Sequence, residues 1–229
     1  MVLGQPARDR RAERHRATRD QILEASWRLA RSEGLAGISL RDLAQAVGMR
    51  PPSLYSYFDS KNAIYDAMFK QGYEAMSGRD AIFNPAAGAD IFKARVRAFL
   101  EFCTEDPARY QLLFQRTLPG FTPSEESYAL AVRMLERAYG ALAGSGVTTP
   151  AHQDIYTAFT SGLADQQIAN DPGGDRWLRL VDEACDMFLA HVNQATPHNS
   201  DQKGTNDDGY HRPSDHTSGA SRSDEARCH

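Results

Sequence analysis

The side chains best suited to recognition chemistry are crowded into one short stretch. Arg50, Pro51, Pro52, Ser53, Tyr55, Ser56 and Tyr57 fall within positions 50–57, with Lys61 just beyond and Ser39 and Arg41 just before. An arginine can donate two parallel hydrogen bonds to a guanine edge, and proline rings can pack against thymine methyls. The hydroxyls of Ser53, Tyr55 and Tyr57 and the ammonium of Lys61 suit phosphate oxygens, as do the first amides of a helix headed by Ser39. Arg41 can reach either a base edge or the backbone. Tyr55 and Tyr57 have a second option, because a half-buried tyrosine can equally pack its ring against a neighbouring helix. Groups fit for catalysis are scarce. His152 with Asp154, and His191 alone, have no nucleophile elbow, glycine-rich phosphate loop or metal-ligand pair at i and i+4 beside them, so no catalytic residue, cofactor or metal site is expected.

Presenting residues 50–57 outward requires two short helices held at a set angle. Ser39 followed by Asp42 is a capping pattern that opens a helix at Leu40. Gly48 supplies a turn residue able to take positive φ, and the proline pair suits the first turn of a further helix running to about Phe58. Ala44 is the small residue where the two helices cross, and Leu43, Val47, Met49, Leu54 and Phe58 form the apolar wedge between them. With the wedge inside, helical periodicity turns Arg50, Pro51, Ser53, Tyr55, Ser56 and Tyr57 away from the core, onto a face that fits a major groove about 12 Å wide. Upstream, Ile22, Leu23, Ser26, Trp27, Leu29 and Ala30 recur at three- and four-residue intervals until Gly34, which predicts a first helix over 16–33.

Helices follow at 60–79 and 88–104, and further starts are marked by Asp106-Pro107, Thr122-Pro123 with Glu125, Thr149-Pro150 and Asp171-Pro172. No segment alternates β-branched residues between turn signals, so the expected fold class is all-α with about nine helices. Charge is uneven along the 229 residues: positions 1–70 hold 12 basic against 8 acidic side chains, net +4, whereas 71–229 are net −8. The basic end is where a polyanion belongs. Arg8, Arg10, Arg11, Arg14, Arg16 and Arg19 precede the first apolar period, and residues 1–15 read as a basic flexible arm that can settle in a phosphate-lined groove or stay solvated. Residues 196–229 contain no Leu, Ile, Val, Phe, Met or Trp and are expected to be disordered; their four histidines, His198, His211, His216 and His229, lack regular metal-ligand spacing. Cys103, Cys185 and Cys228 form neither a disulfide framework nor a metal knuckle and read as reduced thiols. No run of about 18 apolar residues occurs and no apolar block follows the first arginines, so neither a membrane span nor a secretory signal is expected, and the cytoplasm is the expected location.

The run from Gly37-Ile38-Ser39-Leu40-Arg41-Asp42-Leu43-Ala44 through Val47-Gly48-Met49, followed by Ser53-Leu54-Tyr55-Ser56-Tyr57-Phe58-Asp59-Ser60-Lys61, resembles the DNA-binding signature of the tetracycline-repressor (TetR) family of bacterial regulators. The resemblance covers roughly residues 17–76 and includes the fourth-helix start at Lys61, Ile64 and Tyr65. It implies a homodimer of nine- or ten-helix subunits, in which a variable C-terminal domain dimerises and usually holds a small ligand. The Pro51-Pro52 pair departs from the pattern, which usually has at most one proline there. The run Asp106-Pro107-Ala108-Arg109-Tyr110 to Phe114 is similar to one subgroup of the family and implies no named ligand.

The domains expected are a helix-turn-helix unit over 16–77 and a helical regulatory and dimerisation unit over 85–195. Phe99, Phe102, Cys103, Tyr110, Phe114, Phe121 and Tyr128 are candidate walls of a ligand pocket, with plain core packing as the alternative. Ile155, Phe159, Gly162, Leu163 and Gln166 on one helix, with Leu178, Val181, Cys185 and Phe188 on the last, are candidates for a two-fold four-helix interface. The expected function is sequence-specific regulation of transcription by a homodimer on a pseudo-palindromic double-stranded operator, a repressor answering to an unidentified small-molecule effector. The alternatives are control by a protein partner, activation, non-specific DNA coating, or an enzyme using the C-terminal pocket.

Overall fold

The computed structural model describes residues 6–195; the first five residues of the expected arm and the whole expected disordered tail, 196–229, lie outside the described residues. Among the described residues the chain is all helical and without strands. The elements are α1 (Pro6–Glu33), α2 (Leu40–Ala46), α3 (Pro51–Leu54), α4 (Lys61–Ser77), α5 (Ala89–Glu105), α6 (Pro107–Phe114), α7 (Glu125–Ala143), α8 (Pro150–Asn170) and α9 (Val181–Ala195), the last entered through a 3₁₀ turn at Leu178–Leu180. No helix among these residues is long and apolar enough to cross a membrane.

Helix starts follow the caps. The oxygens of Ser39, Ser60, Asp106, Ser124 and Thr149 each accept from the backbone amide three residues on, at 3.1–3.2 Å, satisfying a donor that the helix itself cannot. Four sequence expectations change. Helix α1 begins at Pro6 and not at 16, so the segment read as a flexible arm is helical from that residue on. Its alanines, arginines and glutamate are strong helix formers, and the lack of apolar residues hid the period without removing the propensity. Helix α3 ends at Leu54, and the chain reaches Phe58 through turns closed by Tyr57 and Phe58 amides on the Leu54 carbonyl. Ser124, not Thr122, caps α7. Asp171 terminates α8 instead of opening α9: its carboxylate accepts the Arg176 amide at 2.9 Å, and Gln167 pins the loop by accepting the Trp177 amide at 2.8 Å.

Two apolar clusters fill the interior. The first joins Ile22, Leu43, Leu54, Phe58, Ile64 and Met68 to Phe102, Tyr110 and Leu113, so the packing beneath α2 and α3 continues into α5 and α6. Gly72 makes this possible, because a Cβ there would lie 2.9 Å from Leu113. The second cluster packs Phe92, Val96 and Leu100 of α5 against Val181, Cys185, Phe188 and Val192 of α9. Lys93–Asp186 at 2.7 Å and Arg97–Asp182 at 2.8 Å flank that seam.

Candidate nucleic-acid interface

The helix-turn-helix wedge forms as its residue types require. Leu43, Ala44, Leu54 and Phe58 are buried and Val47 and Met49 pack against them. Gly48 takes φ +68°, which lets the chain reverse while the Met49 amide donates to the Ala44 carbonyl at 2.8 Å. The small Ala44 is what allows that close crossing. On the opposite side, Arg41, Arg50, Pro51, Pro52, Ser53 and Ser56 are exposed, and the Tyr55 ring is 55% exposed. The Arg50 guanidinium makes no cap bond to its own helix.

Three expected contact residues sit differently. Tyr57 is half-buried, its ring stacked on His15 with centroids 4.8 Å apart. Lys61 is also half-buried; its ammonium donates to the Ala36 carbonyl at 3.4 Å and lies 5.4 Å from the Tyr65 ring centre. The Ser39 hydroxyl donates to the Asp42 carboxylate while accepting the Asp42 amide, so its hydrogen is occupied within the cap.

Sequence reading missed two residues that brace the reading segment from α1. Arg19 lies over the Phe58 ring, 4.1 Å from its centre, and donates to the Tyr57 carbonyl. His15 Nε2 lies 3.3 Å from the Ser56 carbonyl. Neither partnership has a sequence signal, since the two members of each pair are 38 and 41 residues apart. Helix α1 then carries exposed Arg10, Arg11, Arg14 and Arg16 past the reading segment, over a length of about 15 Å for ten residues.

Two adjoining clefts, of about 400 Å³ and 320 Å³, share Tyr73, Leu113, Phe114, Tyr128 and Ala131. Of the expected pocket walls, Phe114 and Tyr128 border both, Phe121 the first and Phe99 the second. Phe102, Cys103 and Tyr110 do not: they are core. Arg109 caps the Phe102 ring at 3.9 Å, Tyr110 donates to Asp165 at 2.8 Å, and burial pushes the Cys103 thiol up. Tyr73 of α4 and Tyr139 of α7 are walls that the sequence did not reveal.

The expected dimer surface also divides. Val181, Cys185 and Phe188 are buried inside the subunit, where Phe188 stacks on Phe92 at 5.8 Å and meets Phe159 at 5.2 Å; they are not available to a partner. Leu178, Phe159 and Leu163 are half-buried. Ile155, Gly162 and Gln166 remain exposed on α8, and on α9 Met187 is a large exposed apolar side chain, at 71%.

Residues 22–68 match the family described as bacterial regulatory proteins, tetR family. The chain is 27% identical over 172 residues to the HTH-type transcriptional regulator Rv1816 of Mycobacterium tuberculosis, covering 68% of this chain and 70% of that one. Among solved structures it resembles the TetR family transcriptional regulator PfmR from Thermus thermophilus, with TM-score 0.58 and 19% identity over 74% of this chain and 97% of that one. It also resembles the multidrug binding protein EbrR complexed with imidazole, with TM-score 0.53 and 20% identity over 76% and 93%. These two likenesses concern the fold. With a wedge that buries Leu43, Ala44 and Leu54 and a polar face turned outward, residues 22–68 form a helix-turn-helix region that matches the tetR family of bacterial regulatory proteins.

Proposed function

We propose that this regulator acts as a homodimeric, ligand-responsive repressor that reads a pseudo-palindromic operator. The observation that carries the reading is the division of one short segment into a buried Leu54 and Phe58 and an exposed Arg50, Pro51, Pro52, Ser53, Tyr55 and Ser56. Arg50 and Arg41 supply base-edge donors, the prolines flat apolar contact, and Ser53, Tyr55, Ser56 and Lys61 phosphate contacts. The Ser39 end of α2 and the α1 arginines add phosphate contacts, and Tyr57 serves through its stacking on His15. The positive N-terminal third strengthens such contacts at low salt.

A second copy docks through the outward faces of α8 and α9, with Ile155, Gly162, Gln166 and Met187 central and Phe159, Leu163 and Leu178 at their edges. This sets the two reading heads one helical turn apart, about 34–36 Å. Helix α4 couples cleft to head. Its Phe69 and Tyr73 wall the clefts, while its Ile64, Tyr65 and Met68 lie in the same apolar cluster as Leu43 of α2 and Leu54 of α3. The Asp66 carboxylate accepts from the Ser124 amide and from the Ser124 and Ser127 hydroxyls at 2.7–2.9 Å, tying α4 to the start of α7. A ligand that moves α7 therefore biases α4, and with it the spacing of the heads. Selection of bound duplexes from a random pool tests the reading: a two-fold repeat is expected, and an enriched motif without symmetry, or none, refutes it.

A further inference from the structure

The first turn of α3 has no backbone donor to offer a ligand. Pro51 and Pro52 lack an N–H, and the next amide, that of Ser53, already donates to the Arg50 carbonyl at 2.9 Å. A helix start ordinarily presents free amides that suit an anion. This one presents two pyrrolidine rings, both exposed. Tyr55 stands four residues after Pro51, and the backbone there keeps helical angles, φ −65° and ψ −15°. Its exposed ring therefore extends the same side one turn further on. Arg50 marks the edge of this apolar surface, with an extended backbone, an exposed side chain and no cap bond.

What such a surface can distinguish follows from the groups that bases show in the major groove. Thymine presents the O4 acceptor and a C5 methyl, whereas cytosine presents an N4 donor and no methyl. A proline ring neither donates nor accepts a hydrogen bond, so it cannot tell O4 from the N4 amine. The feature it registers is apolar bulk at C5, which a methyl group supplies. Neighbouring residues are about 3.8 Å apart and base pairs about 3.4 Å apart along the duplex. The rings thus meet the base pair beside the one whose guanine Arg50 holds.

We infer that Arg50, Pro51 and Pro52 together read a guanine flanked by a 5-methylpyrimidine, the methyl group and not the identity of the base being recognised. The site then accepts 5-methylcytosine where it accepts thymine and discriminates against cytosine, so cytosine methylation at that step tightens binding. The inference rests on the operator reading above and specifies the chemistry of one step within each half-site. The nearest side-chain donors, the Ser53 and Tyr55 hydroxyls, are assigned by that reading to phosphates and add no discrimination at the base.

The test is anisotropy competition by the full chain, at one fixed salt concentration, with the duplex selected from a random pool. The guanine is the one whose replacement Arg50→Ala no longer notices. At the T·A pair beside it, thymine is replaced in turn by uracil, by cytosine and by 5-methylcytosine, with guanine opposite the last two. Uracil, which lacks only the methyl, should bind about fourfold more weakly per half-site, and 5-methylcytosine about fourfold more tightly than cytosine. The Pro51→Ala/Pro52→Ala double variant should bind the thymine and uracil duplexes within about twofold of each other. Uracil binding as tightly as thymine, 5-methylcytosine binding no better than cytosine, or a motif with no T·A pair beside that guanine overturns the methyl reading and leaves the operator reading standing. A methyl preference that survives the double variant also overturns it, since another side chain then makes the contact. Selection that enriches no motif refutes the operator reading, and this inference falls with it.

Discussion

Replacing Arg50 by alanine isolates a base contact from the fold that presents it. The guanidinium is exposed, makes no cap bond, and leaves the backbone at φ −82°, ψ 142°, a conformation alanine adopts freely. Leu43, Ala44, Leu54 and Phe58, which set the angle of the reading segment, do not depend on it. The folding cost should therefore stay within about 0.5 kcal/mol, the range for exposed positions away from special features. A bidentate arginine–guanine pair contributes about 1–3 kcal/mol of discrimination, or roughly 5- to 150-fold in relative affinity per half-site. The assay is anisotropy competition at one fixed salt concentration, with the selected operator set against variants carrying each other base at every half-site position. One position should lose its preference while the others keep theirs and random-sequence affinity falls only slightly. If the variant retains the full wild-type base preference, Arg50 reads no base and the orientation assigned to α3 is wrong.

Lys61→Ala should weaken specific and random DNA alike and reduce the salt slope by about one unit per subunit; an unchanged slope would mean its ammonium stays on the Ala36 carbonyl when DNA is bound. Arg19→Ala removes a cation–π contact and a hydrogen bond to the Tyr57 carbonyl, worth together about 1–2 kcal/mol. The melting temperature should fall by roughly 2–8 °C for a chain of this size, and operator affinity should fall with it; scanning calorimetry and anisotropy decide. Met187→Glu places a charge on the exposed face of α9 without touching the core. Sedimentation should show a single subunit with unchanged helical content and operator binding about a hundredfold weaker, whereas a persistent dimer moves the interface elsewhere. Burial pushes Tyr73 up to about 12 from an ordinary 10.0, and Tyr110 and Tyr156 upward as well. A raised acid releases its proton sooner in the unfolded chain, so this stabilisation is complete below about pH 10 and is lost as pH rises towards about 12. Unfolding free energies from urea titrations should decline over that window by up to about 1.4 kcal/mol per pH unit for each tyrosine, and a flat profile contradicts the assigned burial.

The reading head was legible because its determinants are local. Ser39 before Leu40, Gly48 at positive φ, Ala44 at the crossing and the spacing of Leu43, Leu54 and Phe58 act within one short span of chain, where helical geometry alone dictates which side chains share a face. Caps at Asp106 and Thr149 were readable for the same reason. What sequence periodicity could not decide is which of two apolar partners a stripe will meet. Val181, Cys185 and Phe188 are as apolar as an interface requires, yet α5 lies against them and Met187 is left outside. Phe102 and Tyr110 share the pocket's residue types, but Arg109 and Asp165 engage them within the core. The arrangement of His15 and Arg19 over residues 56–58 exists only once segments far apart in the chain are brought into contact. Local spacing determines which elements form and which way they face; tertiary packing determines which of those faces remain for a partner, because burial depends on distant neighbours.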